Sequence, residues 1–256
     1  MPYFSSGQSQ LYYETHGSGP ALVLLHGMGG NHASWYPQIA GLADRFQLIT
    51  VDARGFGKSN DVEGLGRDGF VADLDALWCT LGLERAALVG QSMGGGCCVL
   101  FACQYPERVS ALVLADTLIG LELPESVRGR MNQVQHDTAN LSQSERVLGK
   151  TTRATALDLV ALYGQIASFN SVGLRTLTGT QRVLPVQDLA ATQLPVLFVV
   201  GSEDILFPPE LVEAVHQHLP MSRLEVIPDA GHSAHFEAPR RFNDIVSAWF
   251  DAVLPR

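Results

Sequence analysis

Three residue types suited to acyl transfer stand far apart in this chain, each close to a glycine. Ser92 lies in Gly90-Gln91-Ser92-Met93-Gly94, Asp204 in Gly201-Ser202-Glu203-Asp204, and His232 in Asp229-Ala230-Gly231-His232. A serine hydroxyl becomes a useful nucleophile only when a base removes its proton during attack. Histidine suits that role, with an unperturbed pKa of roughly 6.5. A carboxylate on the other ring nitrogen fixes the tautomer and stabilises the imidazolium. Attack on a carbonyl creates an oxyanion, which needs backbone N–H donors. Met93, directly after the serine, supplies one. The loop His26-Gly27-Met28-Gly29-Gly30 supplies the other through Met28.

Rival assignments are few. Asp116 competes with Asp204, because it too ends an apolar run. Glu203 stands one residue out of register. His16, His32, His136, His216, His218 and His235 read as surface or turn residues. His216 and His218 are two apart and share no helical face. His232 and His235 lack further ligands at metal spacing, so no metal is expected. The loop after Leu25 lacks Gly-Lys-Ser/Thr and matches a dinucleotide fingerprint poorly, so a nucleotide role is not expected.

The elements that must carry these residues follow from pattern. Ala86–Val89 reads as a buried parallel strand and Cys97–Ala102 as a helix. A strand turning sharply into a helix must strain one residue, here Ser92, and flanking glycines leave room for that turn. Ala21–Leu25, Phe46–Val51, Val109–Ala115, Val196–Val200 and Arg223–Ile227 read as further strands. The spacing predicts helices over His32–Arg45, Phe70–Leu81 with a stop at Gly82, Pro208–Leu219 and Phe236–Leu254. Met1–Thr15 reads as an edge hairpin around Ser6-Gly7-Gln8. Alternating strands and helices imply parallel βαβ units, with ligands beyond the C-terminal strand ends.

From about Leu118 to Leu184 the alternation stops. No strand-like run occurs there; Ser142 and Glu145 form a capping box, and Ala154–Phe169 reads as a helix. Residues 118–184 are expected to form a helical cap on a single domain with its core at 1–117 and 185–256. The cap's seven basic and five acidic residues give +2, a slight lean toward anionic substrates that a mixed solvated surface explains equally.

Composition bounds the rest. With 256 residues, 46% hydrophobic and 17% charged, the chain can bury a large core. A net charge of −9 without a basic run argues against nucleic acid. No apolar run approaches the roughly 20 residues of a membrane helix. Met1-Pro2-Tyr3-Phe4-Ser5-Ser6 lacks the pattern of a signal peptide. A soluble cytoplasmic protein is the expectation, with its oligomeric state open. Cys79, Cys97, Cys98 and Cys103 read as reduced core residues.

On these residues the sequence resembles the α/β-hydrolase superfamily, in the branch of small bacterial esterases, lactonases, haloperoxidase-like perhydrolases and C–C hydrolases. The likeness rests on His26-Gly27, Asp52-x-Arg54-Gly55-x-Gly57-x-Ser59, Gly90-Gln91-Ser92-Met93-Gly94, Gly201-x-x-Asp204 and Gly231-His232. It covers nearly the whole chain except the cap. It implies an α/β fold with a mostly parallel eight-stranded sheet, flanking helices and a cap. It also implies cofactor-free chemistry by Ser92, Asp204 and His232, in the chain order of that fold. Asp52 and Arg54 would be structural. Serine at 92 disfavours the dehalogenase and epoxide hydrolase branches, which carry aspartate there. Gln91 stands where many relatives have histidine. The expected activity is hydrolysis of a small carboxylic ester or lactone. C–C hydrolysis of a ring-cleavage diketone would use the same three residues, and a ligand receptor retaining the fold is a third reading. Trp35, Phe207 and Phe236 are expected to join the cap as pocket walls.

Overall fold

Apolar runs without alternation become strands covered on both faces, and their odd and even residues feed two separate cores. The computed structural model describes residues 2–254; Met1, Pro255 and Arg256 lie outside the described residues. The hairpin forms as β1 (Tyr3–Ser6) and β2 (Ser9–His16), turning at Gly7 with φ 58°. β3 (Ala21–Leu25) leads into a short 3-10 turn, His32–Trp35, and then α1 (Tyr36–Leu42). The single helix expected over 32–45 is divided because Asn31 caps its own turn and Pro37 opens a new first turn.

β4 (Gln47–Val51) is followed by α2 (Phe70–Leu81), which stops at Gly82 with φ 61° as expected. Next come β5 (Ala86–Gln91), α3 (Met93–Gln104) and β6 (Val109–Ala115). The chain then leaves the sheet through β7 (Leu121–Glu122), α4 (Glu125–Thr138), α5 (Gln143–Val147), α6 (Lys150–Thr155), α7 (Leu157–Ala167) and β8 (Leu184–Pro185). It returns with α8 (Val186–Ala191), β9 (Val196–Gly201), α9 (Pro209–His216), β10 (Ser222–Ile227), α10 (Ala234–Glu237) and α11 (Pro239–Val253).

The main sheet has eight strands in the order β1-β2-β4-β3-β5-β6-β9-β10. β3 to β6, β9 and β10 run parallel, while β1 and β2 form an antiparallel edge. β5 sits in the middle, with Gly90 opposite Leu25 on one side and Leu114 on the other. Val23, Leu88, Leu112 and Phe198 face a core shared with Trp78 and Phe101. Leu22, Leu24, Val89 and Val113 face the opposite core, with Phe242 and Phe250 of α11. Trp35 belongs to this second core and is no pocket wall, because its turn sends the indole beneath the sheet onto His235.

Several departures have physical causes. β7 and β8 pair in parallel and close the base of the helical excursion, where no strand was expected. Strands of two residues leave no periodicity to read. α6 begins at Lys150 because the Glu203 carboxylate accepts the Thr151 amide at 2.8 Å, a tertiary cap that local sequence does not reveal. The closing helix breaks at Ala238, whose successor Pro239 disfavours helical geometry. Cys97 and Cys98 are buried in α3, but Cys79 is exposed on the outer face of α2 and is no core residue.

One buried ion pair fixes the loop beside the site. Arg54 is 1% exposed, and its guanidinium takes Asp73 of α2 in two hydrogen bonds, with Asp61 at 3.1 Å. Asp61 in turn accepts the Leu65 and Gly66 amides. Removing one partner of such a pair strands a buried charge. Arg54→Met should therefore destabilise the fold by about 3–5 kcal/mol, and adding Asp73→Leu should recover much of that. Urea unfolding of the single and the double variant against wild type checks this.

Candidate active site

Ser92 occupies the junction of β5 and α3 with φ 49° and ψ −117°, a conformation that L-residues rarely adopt. Neighbouring backbone comes close enough that only glycine fits around it. A Cβ on Gly94 would strike the Leu25 carbonyl, and one on Gly90 would lie 2.6 Å from the Gly95 Cα. The Ser92 amide donates to the Ala115 carbonyl at 3.0 Å, and Thr117 Oγ1 donates to the Ser92 carbonyl at 2.9 Å. The elbow is thereby bolted to β6 and its following loop.

The loops after β9 and β10 bring the other two residues to it. Ser92 Oγ lies 2.8 Å from His232 Nε2, and His232 Nδ1 lies 2.9 Å from Asp204 Oδ2. Asp204 Oδ1 accepts the Leu206 and Phe207 amides at 2.8 and 3.0 Å, which leaves Oδ2 for the imidazole. These partners assign the tautomer: Nδ1–H donates to Asp204, and Nε2 accepts from the serine hydroxyl. Burial pulls the His232 pKa down, but Asp204, joined by Asp116 and Glu237, outweighs it, so the pKa lies above the ordinary histidine value. The Phe207 ring stacks on the imidazole at 5.7 Å.

Asp116, the rival acid, is engaged elsewhere. It accepts the Gly201 amide at 2.9 Å and the Ala234 amide at 3.0 Å, tying β9 to α10. Burial, reinforced by nearby Asp204, holds its carboxyl well above the usual range. Glu203 points to α6, as its Thr151 bonds show.

Other supports escaped the sequence reading. Gln91 Nε2 donates to the His232 carbonyl at 2.7 Å, so the residue before the serine holds the histidine loop. Its place inside the pentapeptide was the available signal. Glu237 accepts the Gly231 amide at 2.9 Å, the Ser233 amide at 3.2 Å and the Gly149 amide at 2.7 Å, clamping that loop to the segment ahead of α6. No local pattern marks it. His235 is buried rather than at the surface. Both of its ring nitrogens lack partners among the described residues, and burial pushes its pKa down to about 3. It packs tilted against Trp35 with centroids 4.4 Å apart, as a neutral core aromatic.

Met93 is the first residue of α3, so its amide precedes any intrahelical acceptor. The Met28 carbonyl accepts Gln143 Nε2 at 2.9 Å and Tyr163 Oη at 3.3 Å, which fixes the opposing loop from α5 and α7. His26 steadies the same loop, accepting the Ala53 amide at 3.1 Å through Nε2. Met28, Ser92, Met93, Phe207 and His232 line one cavity of about 340 Å³. Phe236 stays outside it, packed edge-on against Tyr163 and Tyr36, because α10 turns it toward α7. Among the described residues no three His, Cys, Asp or Glu side chains gather as metal ligands would. No helix there is long and apolar enough to cross a membrane.

With this geometry in place, comparison with known proteins is informative. A family model described as the alpha/beta hydrolase fold matches residues 20–184 and 135–239. A Mycobacterium tuberculosis protein with the provisional name non-heme bromoperoxidase BpoC is 32% identical, over 95% of this chain and 98% of its own length. The pimeloyl-[acyl-carrier protein] methyl ester esterase of Nitrosomonas europaea is 29% identical, over 91% of this chain and 97% of its own. The structure of a thermophilic esterase from Thermogutta terrifontis superposes with a TM-score of 0.83 at 27% identity, covering 99% of this chain and 98% of that one. The chain belongs to the alpha/beta hydrolase fold family.

Proposed function

We propose that this protein hydrolyses a small carboxylic ester or lactone through an acyl-Ser92 intermediate. One observation carries the reading: an unbroken hydrogen-bond path runs from Ser92 Oγ through the His232 ring to Asp204, and Ser92 opens onto a cavity. The esterase names of two relatives support an ester as the scissile group.

Each residue has a role in the chemistry. As Ser92 Oγ attacks the carbonyl carbon, His232 Nε2 takes its proton. Asp204 keeps the ring oriented and stabilises the imidazolium. The amides of Met28 and Met93 meet the oxyanion. His232 then gives the proton to the leaving oxygen, freeing the alcohol. A water, deprotonated by His232, attacks the acyl carbon, and Ser92 leaves with the proton restored. A lactone follows the same course, its ring oxygen remaining attached to the acyl group. Residues 118–184 act as the cap that shapes specificity over the core of 1–117 and 185–256. A cavity of about 340 Å³ is near the lower end of ligand sites, which favours short acyl groups.

A p-nitrophenyl ester series from acetyl to dodecanoyl should show turnover peaking at short chains. Ser92→Ala should lower kcat by about 10⁴-fold or more. Wild-type turnover surviving in Ser92→Ala would overturn the reading, as would failure of a fluorophosphonate to add its mass at Ser92.

The acid limb of kcat/KM provides an independent check. His232 must be unprotonated to act as base, so activity should fall as pH drops through a pKa above the ordinary histidine value. Asp204→Asn removes the charge that raises this pKa while burial still lowers it. The limb should move to lower pH as the plateau falls by about 10⁴-fold. A pH–rate profile of both proteins decides it; an unmoved limb would mean that Asp204 does not govern the base.

A further inference from the structure

The cavity beside Ser92 is lined by two guanidinium groups and by no carboxylate. Arg67 reaches it from the 3-10 turn ahead of α2, and Arg146 from α5. Neither takes part in an ion pair among the described residues, whereas buried Arg54 has Asp73 and Asp61. Arg67 Nη1 donates a long bond of 3.3 Å to the Leu177 carbonyl. Arg146 Nε is buried and has no hydrogen-bond partner among the described residues. A guanidinium cannot escape this cost by losing its proton, although burial lowers both pKa values. A buried donor without a partner destabilises the protein that carries it. One such donor on Arg146, beside a second guanidinium on Arg67 that has no ion partner among the described residues, therefore points to a ligand that completes them.

We propose that Arg67 and Arg146 bind a carboxylate on the acyl part of the substrate, so that the favoured substrates are monoesters of dicarboxylic acids or lactones bearing a carboxylate. This rests on the reading of Ser92 as an acyl-accepting nucleophile. The guanidinium fork matches a carboxylate in two parallel hydrogen bonds. The acyl side is indicated by α5. Gln143 and Arg146 are three apart and share a helical face, and Gln143 holds the Met28 loop proposed to receive the carbonyl oxygen. Met131, Val134 and Leu174 supply apolar wall for a short chain between ester and carboxylate.

The test compares 4-nitrophenyl hydrogen succinate with 4-nitrophenyl butyrate, each corrected for uncatalysed hydrolysis. Wild type should favour the charged ester by about tenfold or more in kcat/KM, the range expected for hydrogen bonds to a charged group. Arg67→Met/Arg146→Met should bring the ratio toward one, chiefly through KM, and the double lysine variant should retain part of it. Equal efficiency on both esters in wild type, or a ratio unmoved by the double methionine variant, would overturn the proposal. Binding separates this result from the hydrolase reading. Folded Ser92→Ala, titrated calorimetrically with 4-nitrosuccinanilic acid and neutral 4-nitrobutyranilide, should bind the acid more tightly and lose that preference without the two arginines. Such binding with no turnover of either ester would retain the charge site and remove the hydrolase reading. Ser92-dependent turnover with no charge preference would do the reverse.

Discussion

The backbone at Ser92 is the constraint on which the structure depends. A non-glycine residue at φ 49° and ψ −117° costs on the order of 1–3 kcal/mol and persists only where its surroundings leave no alternative. Here β3 and β6 pin β5 on both sides, and α3 must start immediately after the turn. Of the four described non-glycine residues with positive φ, Ser92, Asp116 and Asp229 follow β5, β6 and β10 at their C-terminal ends. Strain is thus gathered along one edge of the sheet, where the side chains of Ser92, Asp204 and His232 converge.

Holding that edge requires backbone amides from separate loops to find acceptors. Two buried carboxylates and one half-buried one provide them. Asp116 joins β9 to α10, Asp204 orders the loop through Phe207, and Glu237 gathers Gly149, Gly231 and Ser233. Each satisfies amides that would otherwise be buried without partners. Gln91 completes the arrangement from the nucleophile's own turn. The loop carrying His232 is therefore fixed from several elements, and its ring meets both partners at ordinary hydrogen-bond distances.

How much of this was legible in the sequence depends on the range of the cause. β6 and α2 appear over the residues their patterns predict, because a buried strand and a one-faced helix are decided by local side-chain order. The elbow was legible for the same reason, since Gly-x-Ser-x-Gly encodes its own sterics. Asp204 over Asp116 could be chosen only from chain order, because both end strands and only the three-dimensional partners distinguish them. Glu237, and Glu203 as the cap of α6, were invisible because they accept the amides of Gly149 and Thr151, 88 and 52 residues away. α4 was overlooked despite Val127, Met131 and Val134 at helical spacing, since its polar face dominates the local composition. Trp35, His235 and Phe236 were misplaced for a related reason: residue type fixes burial tendency, but not which side of the sheet is chosen.

The charges around His232 are arranged by sign. Asp204, Asp116 and Glu237 lie on the protein side of the imidazole, and each raises its pKa. Arg67 and Arg146 line the cavity onto which Ser92 opens. A histidine that accepts a proton gains a positive charge against the carboxylates, while the attacked carbonyl gains a negative charge facing the cavity. In the proposed reaction the imidazolium is met by Asp204 and the oxyanion by the Met28 and Met93 amides, which leaves the arginines for the substrate carboxylate. Preorganised groups need little rearrangement as such charges develop. Under the proposed charge site a carboxylate product would be held at the arginines, so its release would compete with the attraction proposed to select the substrate. A chain with net charge −9 keeps these two cations at its cavity because the sign there is set locally, by the residues of α5 and the loop before α2, and not by the surface as a whole.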